Sequence, residues 1–307
     1  MMKVRIISVS ALLILLLPAS VFALQMPNSS ETFAESLGLT AKSFLVIDNL
    51  SGNTLLAKKP QLSWPPASLT KLVTALVVLD TKPKLTASIT MKKSDEVGGA
   101  RIATKAGIKY RFKDLLYASL TASANNATNA IARSANLATE DFVARMNEKA
   151  RSLGAQNSVF YEPTGINEKN TTTALDFARI VKAAFENPLI AAAATIQNYS
   201  FRSVNNSNFF HKIKNTNQLL KDTAFIADFS FQGGKTGYLE ESQHNFAALI
   251  KDKLGNELII VVLGSQDSTS QFRETKELAA LAGFARMFTN VPQMILGSST
   301  PSSNLKN

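Results

Sequence analysis

An α/β fold is what the sequence predicts, with a sheet assembled from distant parts of the chain around an inserted helical region. Two observations carry this: β-rich hairpin patterns stand near both ends, and the stretch between them is helical in texture. Composition agrees, since 45% of the 307 residues are hydrophobic and 18% charged, enough apolar surface to bury a core without strong self-repulsion. The chain has no Cys and only two His, His211 and His244. Disulfides, a thiol nucleophile and thiolate-held metals are thereby excluded, and two histidines argue against a multi-His site. Neither a metal nor an organic cofactor is expected.

Residues 1–23 read as a secretory signal. Lys3 and Arg5 give a positive start, Ile6 to Leu17 a short apolar run, and Val21-Phe22-Ala23 a small-x-small cleavage site after the break at Pro18. A membrane span needs about 20 apolar residues, and this run has 12. One domain is expected over 24–290, followed by a disordered Ser/Pro-rich tail over 291–307. Within the domain, Ser43 to Asp48 and Thr54 to Ala57 flank the turn residues Asn49-Leu50-Ser51-Gly52-Asn53, a first hairpin. Helices are expected over Leu69 to Asp80, Phe112 to Ser123, Asn126 to Ala135, Thr139 to Leu153 and Thr173 to Glu186, none with Pro or internal Gly. Phe246 to Ile250 and Leu258 to Val262 form the second hairpin, and the unbroken Ile259-Ile260-Val261-Val262 reads as a central strand. A last amphipathic helix runs from Glu274 to Phe288, interrupted only by Gly283.

The net charge is +10, and removal of Lys3 and Arg5 leaves +8. A basic protein favours anionic partners. The cations are scattered singly or in pairs such as Lys58-Lys59 and Lys92-Lys93, without a basic helix or aromatic-interleaved motif, which argues against nucleic acid. Outside the cytoplasm the abundant polyanions are the envelope surface and the carboxylate-bearing wall; a merely solvated surface is the plain alternative.

Three clusters carry candidate chemistry. In Trp64-Pro65-Pro66-Ala67-Ser68-Leu69-Thr70-Lys71, a proline pair opens an apolar helix, so Ser68 sits at its start with Lys71 one turn on and on the same face. A lysine can take a serine's proton only if its pKa falls, which burial, a helix N-terminus or a second cation would bring about. Ser-x-x-Lys alone is weak, because Ser303-Asn304-Leu305-Lys306 matches it too. Ser123-Ala124-Asn125 lies between two helical runs, where a hydroxyl could relay a proton and an amide could hold a peptide; a helix cap is the bland reading. Gly233-Gly234-Lys235-Thr236-Gly237-Tyr238 precedes the strand at Phe246, and its glycines permit close backbone approach beside a cation and a hydroxyl. A phosphate loop would need Gly where Phe229 stands and a helix where Gly237 opposes one.

In this order, the three clusters resemble the motif set of penicillin-binding proteins and serine β-lactamases. Phe160-Tyr161-Glu162-Pro163-Thr164-Gly165-Ile166, Asn170 to Ala174 with Asp176, and Asn215 to Leu220 look like the low-molecular-mass D-alanyl-D-alanine carboxypeptidases and endopeptidases, so the resemblance covers roughly 38–290. It implies a β-lactamase/DD-peptidase-like fold, an antiparallel sheet flanked by helices plus a mostly helical subdomain. It also implies Ser68 as nucleophile, Lys71 as its proton acceptor and Ser123 as relay to the leaving group. Asn125, Lys235, Thr236 and Tyr238 would bind substrate, with the N–H groups of Ser68 and Tyr238 as oxyanion hole. Arg273 resembles an arginine that assists carboxylate recognition.

Class A β-lactamases carry a loop glutamate followed four positions on by Asn. Glu162 is followed there by Ile166, with Asn167 one late, so slow turnover of β-lactams is expected. With no C-terminal β-domain or amphipathic anchor in view, the chain resembles the compact endopeptidase branch more, and a periplasmic enzyme acting on peptidoglycan stem peptides, inhibited by β-lactams and at most peripheral to the membrane, is expected. The alternatives are a non-catalytic wall-binding or penicillin-sensing module, a serine β-lactamase, and, more distantly, a Ser-His-Asp hydrolase, for which neither His211 nor His244 has a supporting motif.

Overall fold

The computed structural model describes residues 38–289; the expected signal segment 1–23 and tail 291–307 lie outside them. The chain divides at Leu39/Thr40, and the fold below is that of the second unit. Both sequence hairpins form. Strand β1 (Ser43–Asp48) pairs antiparallel with β2 (Thr54–Lys58) and, on its other side, with β9 (Glu257–Ser265). β9 pairs with β8 (Gln243–Asp252), and β8 with β7 (Phe229–Leu239), so the sheet order is β2-β1-β9-β8-β7 with every pair antiparallel.

The unbroken apolar run in β9 is explained by burial on both faces. Leu45, Ala247, Leu249, Ile259, Val261 and Leu263 join the main core, against helix α5 (Ala174–Glu186). The alternate residues Phe246, Ile260 and Val262 are equally buried on the other face, where α8 (Ser270–Thr289) packs and the rings of Phe246 and Phe272 meet edge-on at 5.3 Å. α8 runs straight through Gly283.

Between the hairpins lie α1 (Lys71–Asp80), β3 (Ser88–Thr90), β4 (Lys109–Arg111), α2 (Phe112–Thr121), α3 (Asn125–Arg133), α4 (Thr139–Ser152), α5, and α6 (Pro188–Thr195), followed by β5 (Asn198–Arg202), β6 (Phe210–Lys214) and the short α7 (Thr223–Asp228). Sequence reading missed the two short hairpins β3-β4 and β5-β6 and helix α6. α6 is announced by Asn187, whose side chain accepts from the N–H groups of Leu189 and Ile190, with Pro188 at the first helical position. His211, which has no supporting motif in the sequence, sits in β6, where its Nε2 pairs with the Tyr110 hydroxyl at 2.8 Å and burial lowers its pKa.

The segment 92–102 forms one wall of the cleft described below, and it is pinned from underneath. Asp95, buried, receives Arg133 through Nε at 2.9 Å and Nη2 at 2.8 Å, and also the Lys92 N–H. Asn126 accepts from the Ile102 N–H and donates to the Ile102 carbonyl and to Glu96. Removing the arginine leaves a buried carboxylate with backbone partners only. Arg133→Ala is therefore expected to destabilise the fold by about 3 kcal/mol in denaturant titrations, and Arg133→Lys to recover only part of this because a lysine cannot reproduce the two-pronged contact.

Candidate active site

Ser68 lies in a 3-10 turn, Ala67–Thr70, that runs directly into α1. Ala67 has φ +51°, a left-handed conformation in a non-glycine residue immediately before the serine. Lys71 is the first residue of α1 and is fully buried. Its Nζ lies 2.8 Å from Ser68 Oγ, 2.7 Å from Asn125 Oδ1 and 2.5 Å from the Thr164 carbonyl oxygen. The Asn125 amide is oriented by its own Nδ2, which donates to the Gly98 carbonyl at 2.7 Å. Two of the three partners thus only accept. A neutral amine donates to both and turns its lone pair to the serine hydroxyl, the arrangement a proton acceptor requires. Burial above all, and then the cation of Lys235, hold the Lys71 pKa well below the ordinary lysine range, against a smaller opposing pull from Glu162.

The carbonyl of Thr164 is placed by a loop wound around Glu162. That carboxylate accepts from the N–H and hydroxyl of Thr164, at 2.7 and 2.6 Å, from the Gly165 N–H at 2.6 Å, and from Asn170 Nδ2 at 3.0 Å. Glu162 is thereby committed to holding its loop together. Gly165 has φ +83°, and a Cβ there would stand 1.9 Å from the Ala67 carbonyl oxygen, so only glycine lets this loop close on the serine turn.

Ser123 joins α2 to α3 with φ +59°, which ends the expected helix two residues early and turns the hydroxyl toward the sheet. It receives Lys235 Nζ at 2.9 Å, and that ammonium also donates to the Thr236 carbonyl at 2.8 Å. The Gly-Gly-Lys-Thr-Gly-Tyr segment precedes the strand at Phe246, as expected, and is itself part of a strand, edge strand β7, paired residue by residue with β8. Glycine is a poor strand former, and tertiary contact overrides that preference. A Cβ on Gly237 would stand 2.6 Å from the Pro66 carbonyl oxygen. Lys235 is as buried as Lys71, and burial brings its pKa down to about 7.

Ser68, Ser123, Asn125, Thr236 and Tyr238 line one cleft of about 370 Å³. Tyr238 is 58% exposed at its mouth, with its ring 4.5 Å from that of His244. The guanidinium of Arg273 pairs with Glu277 and Glu274. Sequence reasoning missed Thr216, which lines the cleft and accepts from the Thr236 hydroxyl at 2.6 Å; the Asn215-Thr216-Asn217 run was its visible signal. It also missed Thr164, whose contribution is a backbone atom. Among the described residues, no group of three or more His, Cys, Asp or Glu is placed to hold a metal.

Two consequences are measurable. Lys235 has a folded pKa below its unfolded value, so from about pH 7 up to about 10.5 the unfolded chain binds more protons and stability rises with pH. Lys235→Met is expected to flatten that rise by up to about 1.4 kcal/mol per pH unit in paired denaturation series. Gly165→Ala is expected to displace the serine turn and lower the acylation rate by about 100-fold, read by stopped-flow with a chromogenic β-lactam.

The family model for D-alanyl-D-alanine carboxypeptidases matches residues 30–267. Among curated relatives, a D-alanyl-D-alanine endopeptidase of Pseudomonas aeruginosa is 33% identical over 210 residues, 67% of this chain and 66% of that protein. The Escherichia coli D-alanyl-D-alanine endopeptidase is 26% identical over 281 residues, 91% of this chain and 88% of that one. Among solved structures, a putative penicillin-binding protein homologue of Mycobacterium tuberculosis superposes with TM-score 0.69 at 27% identity, covering 83% of this chain and 93% of its own. The Streptomyces K15 DD-transpeptidase shares the fold at TM-score 0.73 and 24% identity, over 80% of this chain and 98% of that one. A family match spanning most of the chain, over a fold held in common with these solved structures, makes this protein a member of the D-alanyl-D-alanine carboxypeptidase family of serine peptidases.

Proposed function

We propose that this chain cuts the bond after D-alanine in peptidoglycan stem peptides through an acyl-enzyme at Ser68, and that the cross-link between two wall peptides is the bond it meets. The observation that carries the chemistry is the buried Lys71 amine, 2.8 Å from the serine hydroxyl with its other hydrogens held by acceptors. Lys71 takes the Ser68 proton as Oγ bonds to the carbonyl carbon. The oxyanion then forms between the N–H groups of Ser68 and Tyr238. The tetrahedral adduct collapses as the C–N bond breaks, and the leaving amine takes a proton from Ser123, which Lys235 can restore through their 2.9 Å contact. Water hydrolyses the acyl-enzyme by the same route reversed. Lys235 and Thr236 receive a substrate carboxylate, Asn125 positions the acyl portion, and Arg273, near the start of α8, assists carboxylate recognition. The endopeptidase form is supported by the names of the Pseudomonas aeruginosa and Escherichia coli relatives. A signal segment at 1–23 would deliver the enzyme to the periplasm, where its substrate lies.

Ser68→Ala is expected to abolish labelling by a fluorescent penicillin, with the adduct on wild type mapped to residue 68 by mass spectrometry. Incubation with cross-linked dimer muropeptides and with uncross-linked pentapeptide is expected to consume the dimer; loss of the pentapeptide alone would make the protein a carboxypeptidase. Because Lys235 is a cation only below about pH 7 in the empty cleft, KM for a carboxylate-bearing substrate is expected to rise above that pH. The rise should be absent for an amidated substrate. Nitrocefin turnover is expected to be slow, since Glu162 is occupied by its own loop.

A further inference from the structure

The cations that look scattered along the sequence are not scattered on the molecule. Segments 97–113 and 187–221 hold nine Lys and Arg and no Asp or Glu, against a net charge of +10 for the whole chain. The fold puts these segments side by side. The Val204 N–H donates to the Lys109 carbonyl at 2.8 Å, and the Lys109 N–H donates to Asn205 Oδ1 at 2.8 Å, which ties β4 to the β5-β6 loop. Pairing of Arg202 with Phe210, and of Ser200 with Lys212, sends Arg202, Lys212 and Lys214 to the outward face of that hairpin. On β4, Lys109 and Arg111 are exposed on either side of the buried Tyr110.

Two features give this face its character. Among the described residues, none of Lys109, Arg111, Arg202, Lys212 and Lys214 has a carboxylate within ion-pair distance, so the positive charge gathered here is uncompensated at close range. Phe210, 45% exposed, is flanked by Arg202 and Lys212 at 5.2 and 5.8 Å from its ring, an apolar step between two charges. The same two segments also reach the cleft, since Gly99, Ala100 and Thr216 line it. A polymer with one peptide in the cleft and its neighbours leaving over this rim would pass across unpaired positive charge.

We propose that the β4 and β5-β6 face is a docking track for the acidic, carboxylate-repeating peptides of the wall polymer, distinct from the cleft that binds a single stem. This rests on the proposed function for the identity of the polymer. Each exposed contact contributes little by itself, but repeated carboxylates engage several at once, and the attraction is screened by salt.

The test uses the full chain carrying Ser68→Ala, so that the wall is not digested, co-sedimented with purified sacculi. Adding Arg202→Gln, Lys212→Gln and Lys214→Gln together is expected to weaken sedimentation about eightfold, three contacts of about twofold each. Salt at about 0.5 M should erase the difference. With Ser68 intact, the triple variant should be acylated by fluorescent penicillin at the wild-type rate, which reports an undamaged cleft; if it is not, Lys109→Gln with Arg111→Gln carries the same comparison on β4. Sedimentation unchanged by the substitutions overturns the proposal, as does binding found on phosphatidylglycerol vesicles and absent on sacculi. Failure of penicillin to acylate wild type would overturn the peptidase reading while leaving the sedimentation result to stand on its own.

Discussion

A lysine that must be buried and yet reach a serine is the constraint around which this molecule is arranged. Placing an amine in the interior disfavours its charge, and the neighbouring buried cation of Lys235 disfavours it further. That cost is tolerable only if the neutral amine has partners for both its hydrogens. No single element can supply them. The hydroxyl comes from the turn before α1, the amide from the start of α3, and the carbonyl from the loop wound on Glu162. The lysine's own turn and two segments 54 and 93 residues away must therefore meet at one nitrogen. All three lie in the region inserted between the two hairpins of the sheet.

The sheet contributes rigidity and an edge. Burial on both faces fixes the register of β8 and β9, because a one-residue slip would exchange the residues packed against α5 with those packed against α8. β8 in turn fixes β7, whose free edge faces the serine turn closely enough that Gly237 admits no side chain. The 92–102 wall, held by Asp95 and Arg133, closes the opposite side. Catalytic geometry of this kind needs atoms placed to a fraction of an ångström, and each wall is anchored in buried structure rather than in loop surface.

Much of this was legible in the chain, for identifiable reasons. The hairpins at 43–58 and 243–265 show turn chemistry between apolar runs, and the long helices lack breakers, so local signals suffice. Ser68 and Lys71 were legible because three-residue spacing on a helix is itself a geometry. β7 was not, because its glycines answer to Pro66 and Phe185, contacts far away in sequence. Thr164 acts through a main-chain oxygen, which no residue type announces. The short pairs β3-β4 and β5-β6 carry polar or charged residues on alternate positions, and strands with one wet face are easily mistaken for polar loop. The two acid-free segments are visible in the chain, but their joining into one face is not, because it is made by β4 and the β5-β6 loop lying together.

The two buried lysines divide their work by environment. Both are desolvated, but Lys71 additionally feels Lys235, while Lys235 is shifted by burial alone and only as far as about 7. The pair thus disfavours two protons at once, and the cation of Lys235 beside Ser123 helps hold Lys71 in the neutral form that can accept. On the proposed reading a substrate carboxylate arriving at Lys235 strengthens this ordering, because it favours the charged form of the nearer amine most. Substrate binding then helps keep the proton where recognition needs it and away from where acylation needs a lone pair. The same field explains why the rim can be basic without harm to catalysis. Cations on β4 and the β5-β6 hairpin are exposed and screened by water, so they attract a polymer at range while the two buried amines respond chiefly to each other and to the ligand.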